Sequence, residues 1–372
     1  MNDIVIVQPW FTAVGHPAQS LLNTAKALRH TKGIRYLVSN ASDNPDPQLD
    51  ALRKIADVQS FRVNHSSLRE GTLKALLKLF SQARHGQYAR HIFFFDGHLV
   101  LLAAFWHIFN LYLKPKRISL IYLMGPERVL RSRFATWLVN RFLQRPEVVL
   151  YVRTEELMTA WRTAFSAIAA SHIRYLPSLE LPEHDPAITS PFLSSRLKFG
   201  IIGQIRHGKG LEWLVPMFKK APDLGQLTVA GGFNNPKDAQ TLSFLNSFGG
   251  YRNEYMSDET MLTVAQEQHY LLMLYDAWDA RMESAVLYLA ARAGRPVIAY
   301  DKGWCGRQIN KFGNGILVNP KQTDIANVAS LIKNLPHPDS SEYGRLLEGV
   351  ASFRNAHSVE NLRVQYLQEL MN

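Results

Sequence analysis

The first half of the chain alternates short apolar runs with longer stretches in which apolar residues recur at helical spacing. The runs are bounded by turn residues, which is typical of buried strands, and helical patterns fill most of the intervals between them. Strands that alternate with helices form a parallel sheet covered on both faces, so this half predicts a doubly wound α/β domain. The predicted strands are 4–7, 34–38, 59–63, 91–95, 118–123, 148–152 and 172–176.

The same alternation restarts in the second half, with strands predicted at 198–202, 226–230, 270–274 and 297–299. The segment 177–195 between the halves contains prolines, serines and acidic residues but no hydrophobic period, and is predicted to be a linker. A chain of 372 residues is long enough for two domains. We therefore predict an amino-terminal domain over 1–190 and a second domain over 191–354.

A glycine-rich loop follows the first strand of the second half. Its sequence, Gly-Gln-Ile-Arg-His-Gly-Lys-Gly over 203–210, places Arg206 and Lys209 among glycines that let the backbone approach a ligand. Basic side chains in such a loop are typical of phosphate binding. The candidate ligands here are Gly203, Arg206, Lys209 and Gly210.

A second anion-binding element is predicted where Glu283 and Ser284 begin a helix that ends at Gly294. The first amides of a helix have no carbonyl partners and lie at the positive end of its dipole. The amides of Ser284 and Ala285 are therefore candidate ligands for a diphosphate. Glu283 is either a site residue or a carboxylate that only stabilises the start of the helix through the helix dipole.

The loop at 203–210 also resembles a Walker A phosphate loop, and the apolar run 271–276, which ends in Asp276, imitates a Walker B strand. Gly210, however, stands where a serine or threonine must hold magnesium. A nucleoside triphosphatase is the alternative interpretation of this loop.

The amino-terminal half offers candidates at two predicted strand ends, where open α/β sheets hold ligands. Gly15 lies in the first loop, and His16 either faces a ligand or caps the next helix. Asp96 and His98 follow the strand at 91–95, although an Asp-Gly pair is also a common turn.

The stretch 283–320 resembles the donor-binding region of glycosyltransferases with the GT-B fold, especially the family-four sugar-nucleotide enzymes. In that family an acidic residue begins a helix that ends in Gly-x-Pro-Val, and a Gly-x-Leu-Val strand follows; this chain has Gly-Arg-Pro-Val at 294–297 and Gly-Ile-Leu-Val at 315–318. It departs at Leu289, where the family carries a ribose-binding glutamate, and at Arg281, where strict spacing places the first acidic residue.

The resemblance implies two doubly wound domains that face a cleft, with the carboxy-terminal helix at 355–372 crossing back to the first domain. The first domain would bind the acceptor and the second the nucleotide-sugar donor. Lys209 would contact the donor diphosphate, and Glu283 would hold sugar hydroxyls or balance positive charge at the sugar ring. The family implies retention of configuration; an inverting enzyme would need Asp96, His98 or His16 as general base.

Composition narrows the functional class. Hydrophobic residues make up 47% of the chain and charged residues 20%, which is typical of a globular protein. The net charge of +11 indicates an anionic partner, but no nucleic-acid-binding motif is present. No Asp-x-Asp pair and no zinc-ligand spacing occurs, so we expect no metal and no cofactor. The single cysteine, Cys305, and a start without a basic leader predict a cytoplasmic protein.

One further stretch, 99–113, is strongly apolar and is followed by a basic cluster at 114–117. At about fifteen residues it falls short of a membrane span and is predicted to be a core or interfacial helix. More basic residues lie before and after it, which suits an anionic membrane surface. They are Lys74, Lys78, Arg128, Arg131, Arg133 and Arg141.

These features together predict a peripheral hexosyltransferase on the inner face of the membrane, acting on a glycan or lipid-linked acceptor in surface polysaccharide synthesis. A protein of this fold that binds nucleotide sugars without transferring them is a second alternative.

Overall fold

The computed structural model describes residues 4–11, 16–40, 47–63, 67–181, 195–206, 208–232, 250–252, 256–275, 280–321 and 325–371, with 243, 245, 248 and 254 as isolated positions. The chain divides into two compact units. Unit 1 comprises 1–183 and 357–372, and unit 2 comprises 184–356.

Unit 1 contains a seven-stranded sheet in the order β3-β2-β1-β4-β5-β6-β7, in which the strands pair in parallel. Most of these strands are apolar runs buried on both faces, as expected for a parallel sheet. The bounds are Ile4–Gln8 (β1), Ile34–Asn40 (β2), Asp57–Arg62 (β3), His91–Phe94 (β4), Arg117–Ile121 (β5), Val148–Val152 (β6) and Ile173–Tyr175 (β7).

The helices of unit 1 form two groups, because the direction in which the chain adds strands reverses between β1 and β4. The first helix packs with the second and with the last, and the third, fourth and sixth lie side by side. The bounds are His16–Leu28 (α1), Pro47–Arg53 (α2), Leu68–Arg84 (α3), Leu99–Leu113 (α4), Glu127–Leu130 (α5), Arg133–Leu143 (α6) and Glu155–Ala164 (α7), with the last helix at Val359–Met371.

The last helix is tied to unit 1 by charge and hydrogen bonds. Its Glu369 lies 3.3 Å from a guanidinium nitrogen of Arg117 and 2.9 Å from one of Arg174. The Tyr366 hydroxyl donates to the carbonyl of Pro177 at 2.8 Å. The prediction that the carboxy-terminal helix returns to the first domain is confirmed.

Unit 2 contains a six-stranded parallel sheet in the order β10-β9-β8-β11-β12-β13. Its strands are Lys198–Ile202 (β8), Gln226–Ala230 (β9), Tyr251–Arg252 (β10), Tyr270–Met273 (β11), Val297–Tyr300 (β12) and Gly315–Val318 (β13). Its described helices are Leu211–Lys220 (α8), Asp258–Gln266 (α9), Ala285–Ala293 (α10), Gly303–Phe312 (α11), Ile325–Lys333 (α12) and Ser341–Ala356 (α13), so the last helix of unit 1 is α14. The two predicted doubly wound domains are thus present, and each sheet reverses its order once.

The predicted linker differs from expectation at its start. Leu179 and Leu181 are buried, and the side-chain amide of Asn23 donates to the carbonyls of Leu179 and Glu180 at 3.0 and 3.2 Å. Leu179 belongs to the hydrophobic core of unit 1, together with Leu21, Leu22 and Ala25 of α1. Residues 182–194 lie outside the described part.

Helix α4 has the bounds predicted for it. Among the described residues, no helix combines the length and apolar character that a membrane crossing requires.

Candidate active site

The glycine-rich loop after β8 adopts conformations that require its glycines. Gly203, Gly208 and Gly210 have φ angles of 96°, 83° and 73°. A Cβ atom on Gly210 would lie 2.6 Å from the carbonyl oxygen of Leu274 at the end of β11. No serine or threonine fits there, so the residue that would hold magnesium in a Walker A loop is excluded by backbone contact as well as by sequence.

Lys209 is buried within this loop, with only 6% of its surface exposed. Its Nζ donates to the carbonyl of Ile202 at 3.3 Å and lies 5.7 Å above the ring centroid of Tyr275. Burial, with Arg206 as a second cation nearby, lowers the pKa of Lys209 to about 7. Among the described residues, no carboxylate forms an ion pair with it. A buried ammonium beside another cation is the electrostatic environment that an anionic ligand relieves.

The start of α10 lies against the same loop. A Cβ atom on Gly203 would be 3.7 Å from the Nζ of Lys209 and 3.9 Å from a side-chain methyl of Val286, in the first turn of α10. Ser284 is the N-cap and is buried, but its side chain makes no capping bond; it is hydrogen-bonded to the phenol of Tyr275. The structure therefore brings Gly203, Lys209 and the start of α10 together.

This meeting point has a topological cause. Strands β8 and β11 are neighbours, and the strand order of the sheet reverses between them. Loops that leave the carboxyl ends of two such strands run in opposite directions and leave a crevice, which is where open α/β sheets bind ligands. The loop of Lys209 follows β8, and α10 follows β11.

Glu283 lies one residue before the N-cap of α10 and is partly exposed. Its Oε2 accepts a hydrogen bond from the hydroxyl of Tyr288 at 3.0 Å. Burial, together with the charge of Glu283, raises the pKa of the Cys305 thiol to about 12. Two positions of α10 that the sequence analysis discussed differ in burial. Ala285 is exposed in the first turn, whereas Leu289, which replaces the family's ribose-binding glutamate, is buried in the core.

The corresponding edge of unit 1 carries a buried carboxyl group. Asp96 follows β4, is 8% exposed and accepts a hydrogen bond from the Gly97 amide at 2.8 Å. Burial raises the pKa of Asp96 to about 7, although the Gly97 amide and the charge of Arg153 oppose this rise. Arg153 is itself fixed, since it donates to the carbonyl of Pro177 at 2.9 Å and to the hydroxyl of Tyr366 at 2.6 Å.

His98 is held by the backbone. It is the N-cap of α4, and its Nδ1 accepts a hydrogen bond from the Leu101 amide at 3.3 Å. Burial is the main cause of its lowered pKa. His98 therefore has a capping role, which leaves only Nε2 for other contacts.

Some predicted residues cannot be placed. Gly15, the side chain of His16, and Asp276 lie outside the described residues; His16 itself begins α1.

Two neighbours of the site were not identified from the sequence. Tyr275 contacts both Lys209 and Ser284, but in the sequence it only extends an apolar run. Gly231 has a φ of 147°, and a Cβ atom there would lie 1.9 Å from the carbonyl oxygen of Gly203. A glycine directly after a predicted strand was the available signal that two loops meet here.

Solved structures resemble the chain over nearly its whole length. Anabaena HepE in complex with UDP superposes with a TM-score of 0.71 at 16% identity, covering 99% of both chains. The structure of the same protein with UDP-glucose superposes with a TM-score of 0.70 at 15% identity, again covering 99% of both chains. Sucrose-phosphate synthase from Thermosynechococcus elongatus gives 0.64 at 15% identity, covering 99% of this chain and 98% of that one.

These neighbours are GT-B glycosyltransferases, and the predicted GT-B fold is confirmed. A scan against protein-family models gave no match. A comparison with curated proteins gave no significant match either.

Proposed function

We propose that the protein is a glycosyltransferase that moves a sugar from a nucleotide-diphosphate sugar to an acceptor hydroxyl. The observation that carries this proposal is the buried ammonium of Lys209, which lies beside Arg206 and the start of α10 at the point where the sheet of unit 2 reverses its strand order. A structural neighbour, Anabaena HepE, was solved with UDP and with UDP-glucose.

The chemistry explains why cations are needed there. When the glycosidic bond breaks, the departing nucleoside diphosphate gains negative charge, and donors already in position stabilise it. Lys209 and Arg206 supply charge, and the amides of Ser284 and Ala285 supply the helix dipole. Gly203 keeps side-chain atoms away from the Nζ of Lys209, and Gly210 lets the loop pack against the backbone at the end of β11. In this proposal protein groups replace a metal ion, and no cofactor takes part.

Glu283 is assigned to the sugar. Its carboxylate, held by Tyr288, would accept hydrogen bonds from sugar hydroxyls or balance positive charge that develops at the ring. Ser284, not Glu283, is the N-cap of α10, which favours a ligand-facing role for Glu283 over a purely capping one.

Asp96 is assigned to the acceptor. A carboxyl group with a pKa near 7 accepts a hydrogen bond from a hydroxyl and, in an inverting enzyme, would take its proton. We propose retention, in which Asp96 orients the acceptor, with Gly15 and His16 as further contacts. The acceptor is a glycan or a lipid-linked precursor of a surface polysaccharide, and the reaction is a hexosyl transfer at the cytoplasmic face of the membrane.

A nucleotide panel tests the proposal. UDP, GDP, ADP and ATP are compared by thermal shift, each with magnesium and with a chelator. One nucleoside diphosphate should raise the Tm selectively and without metal, and its sugar nucleotides should then release that diphosphate on incubation. Stabilisation only by ATP with magnesium would instead support a triphosphatase, and selective binding without release would support a non-catalytic protein.

A further inference from the structure

Exposed large hydrophobic residues are concentrated on one part of unit 1. Of the twelve such residues in the described part of the chain, seven lie on α3, α4 and α6. Scattered single residues of this kind are normal on a protein surface, whereas a contiguous group marks an interaction site. The seven are Leu77, Phe105, Ile108, Leu111, Tyr112, Phe134 and Trp137.

The three helices form one continuous layer. Helix α4 packs against α3 on one side and against α6 on the other. The ring of Phe80 on α3 meets Tyr112 edge to face at 4.8 Å, and Phe134 stacks on Trp137 within α6 at 6.1 Å. In α4, the exposed residues recur every three to four positions, because the opposite stripe, which includes Trp106, is buried.

The middle helix of this layer supplies most of the apolar surface. Helix α4 has no charged residue, and Ile108 and Leu111 are 58% and 69% exposed. Desolvating such side chains is favourable, so α4 provides a driving force for contact with an apolar phase.

Cations flank this apolar centre on both sides. Helix α3 carries Lys78 and Arg84 on its exposed side, and α6 carries Arg133 and Arg141. Arg141 lies 5.7 Å from the ring centroid of Trp137. The one acidic residue of these three helices, Glu70, pairs with Lys74 at 2.7 Å.

We propose that the layer of α3, α4 and α6 docks on the surface of an anionic lipid bilayer. The aromatic and aliphatic side chains of α4 and α6 enter the boundary between headgroups and acyl chains, and the lysines and arginines contact anionic headgroups. A second copy of the chain fits this face less well, because a symmetric dimer would bring the basic flanks of both copies together.

Vesicle co-sedimentation tests this proposal on the full chain. Binding to phosphatidylcholine vesicles that contain phosphatidylglycerol should be strong at low salt and weaken steeply as salt rises, whereas pure phosphatidylcholine should bind little. Leu111→Ser and Trp137→Ser should each weaken binding about ten-fold, since each removes an inserted side chain. Lys78→Gln and Arg133→Gln should each weaken it about five-fold.

Matched control variants distinguish binding through this surface from nonspecific adsorption to vesicles. Ile325→Ser and Lys220→Gln replace exposed residues of the same types in unit 2 and should leave vesicle binding unchanged. All these variants should keep the wild-type Tm, because the replaced side chains are exposed. Equal binding to neutral and anionic vesicles, or equal losses in the controls, would overturn the proposal.

Sedimentation without lipid completes the test. A monomer is expected; a dimer that Trp137→Ser dissociates, in a protein that does not bind vesicles, would show that another copy covers this face. The donor site plays no part in these measurements, so their failure would leave the proposed glycosyltransferase activity standing.

Discussion

The two sheets reverse their strand order at equivalent places, and each places one buried ionisable group just after a strand there. In unit 1 the group is Asp96, after β4; in unit 2 it is Lys209, in the loop after β8. Burial raises the pKa of Asp96 to about 7 and lowers the pKa of Lys209 to about 7.

The same sheet topology therefore positions an acidic group in one unit and a basic group in the other. Burial favours the neutral form of either group, so burying either group lowers the stability of the fold. This cost indicates a functional role for both. A cation beside Arg206 suits a diphosphate, whereas a carboxyl group beside the Gly97 amide suits a hydroxyl. The fold supplies the place, and the side chain decides what binds there.

The largest expected effect comes from Glu283, the carboxylate of unit 2 that is assigned to the donor sugar. Glu283→Gln keeps the size of the side chain but removes the charge assigned to the donor sugar. Because only interactions that strengthen in the transition state raise the chemical rate, release of nucleoside diphosphate from the sugar nucleotide should slow by about 100-fold. Calorimetry should show diphosphate affinity nearly unchanged.

A capping substitution is the control for Glu283. The hydroxyl of Ser257 caps α9 by accepting from the Thr260 amide at 3.1 Å. Ser257→Ala should cost about 1 kcal/mol of stability and leave turnover unchanged. If Glu283→Gln behaves like Ser257→Ala, the donor-sugar assignment is wrong.

A smaller effect is expected from the equivalent carboxyl group of unit 1. Asp96→Asn should slow transfer to an acceptor about ten-fold, because an orienting hydrogen bond is weakened, while diphosphate affinity stays at the wild-type value. Labelled sugar transferred to a membrane lipid extract measures the first quantity. A loss above about 1,000-fold, with an inverted product by NMR, would instead make Asp96 the general base.

The two groups should also give opposite slopes of stability against pH. Asp96 has a folded-state pKa above its ordinary value of 3.8. Its contribution to the stability of the fold is therefore complete below pH 3.8 and is lost as pH rises toward about 7. Lys209 has a folded-state pKa below its ordinary value of 10.5. Its contribution to the stability of the fold is therefore complete above pH 10.5 and is lost as pH falls toward about 7.

Chemical unfolding at several pH values measures these slopes. Asp96→Asn should flatten the pH dependence of the free energy of unfolding between about pH 4 and 7, and Lys209→Met should flatten it between about pH 7 and 10. Each change should be on the order of 4 kcal/mol. A slope that neither substitution changes would show that these groups are solvated in the folded protein.

Much of the fold was predictable because its strands are short apolar runs that end in turn residues. The bounds of β8 and α4 were predicted to the residue. The start of the linker was not, because two leucines in a polar segment give no period although both are buried. Local pattern does not reveal which distant surface will cover a side chain.

The site was predictable in its elements but not in its packing. The sequence pointed to Lys209 and Ser284 because glycine-rich loops and helix starts have characteristic patterns, and the structure brings these residues together. Tyr275, which joins them, resembles any core tyrosine until the fold places it between them. His98 was predicted as a site residue with a common turn as the alternative, and its role as the cap of α4 follows only from the structure, in which its ring accepts a hydrogen bond from the Leu101 amide.

The central claim is that Lys209 binds the diphosphate of the donor, and calorimetry with the nucleoside diphosphate selected by the panel tests it most directly. Lys209→Met should weaken binding by about 30-fold or more, with the fold intact, whereas the exposed Lys220→Met should bind as wild type does. Because Lys209 must be protonated to bind an anion, wild-type affinity should also fall as pH rises above about 7, and this dependence should be absent from Lys209→Met. Wild-type affinity and an unchanged pH dependence in Lys209→Met would contradict the account.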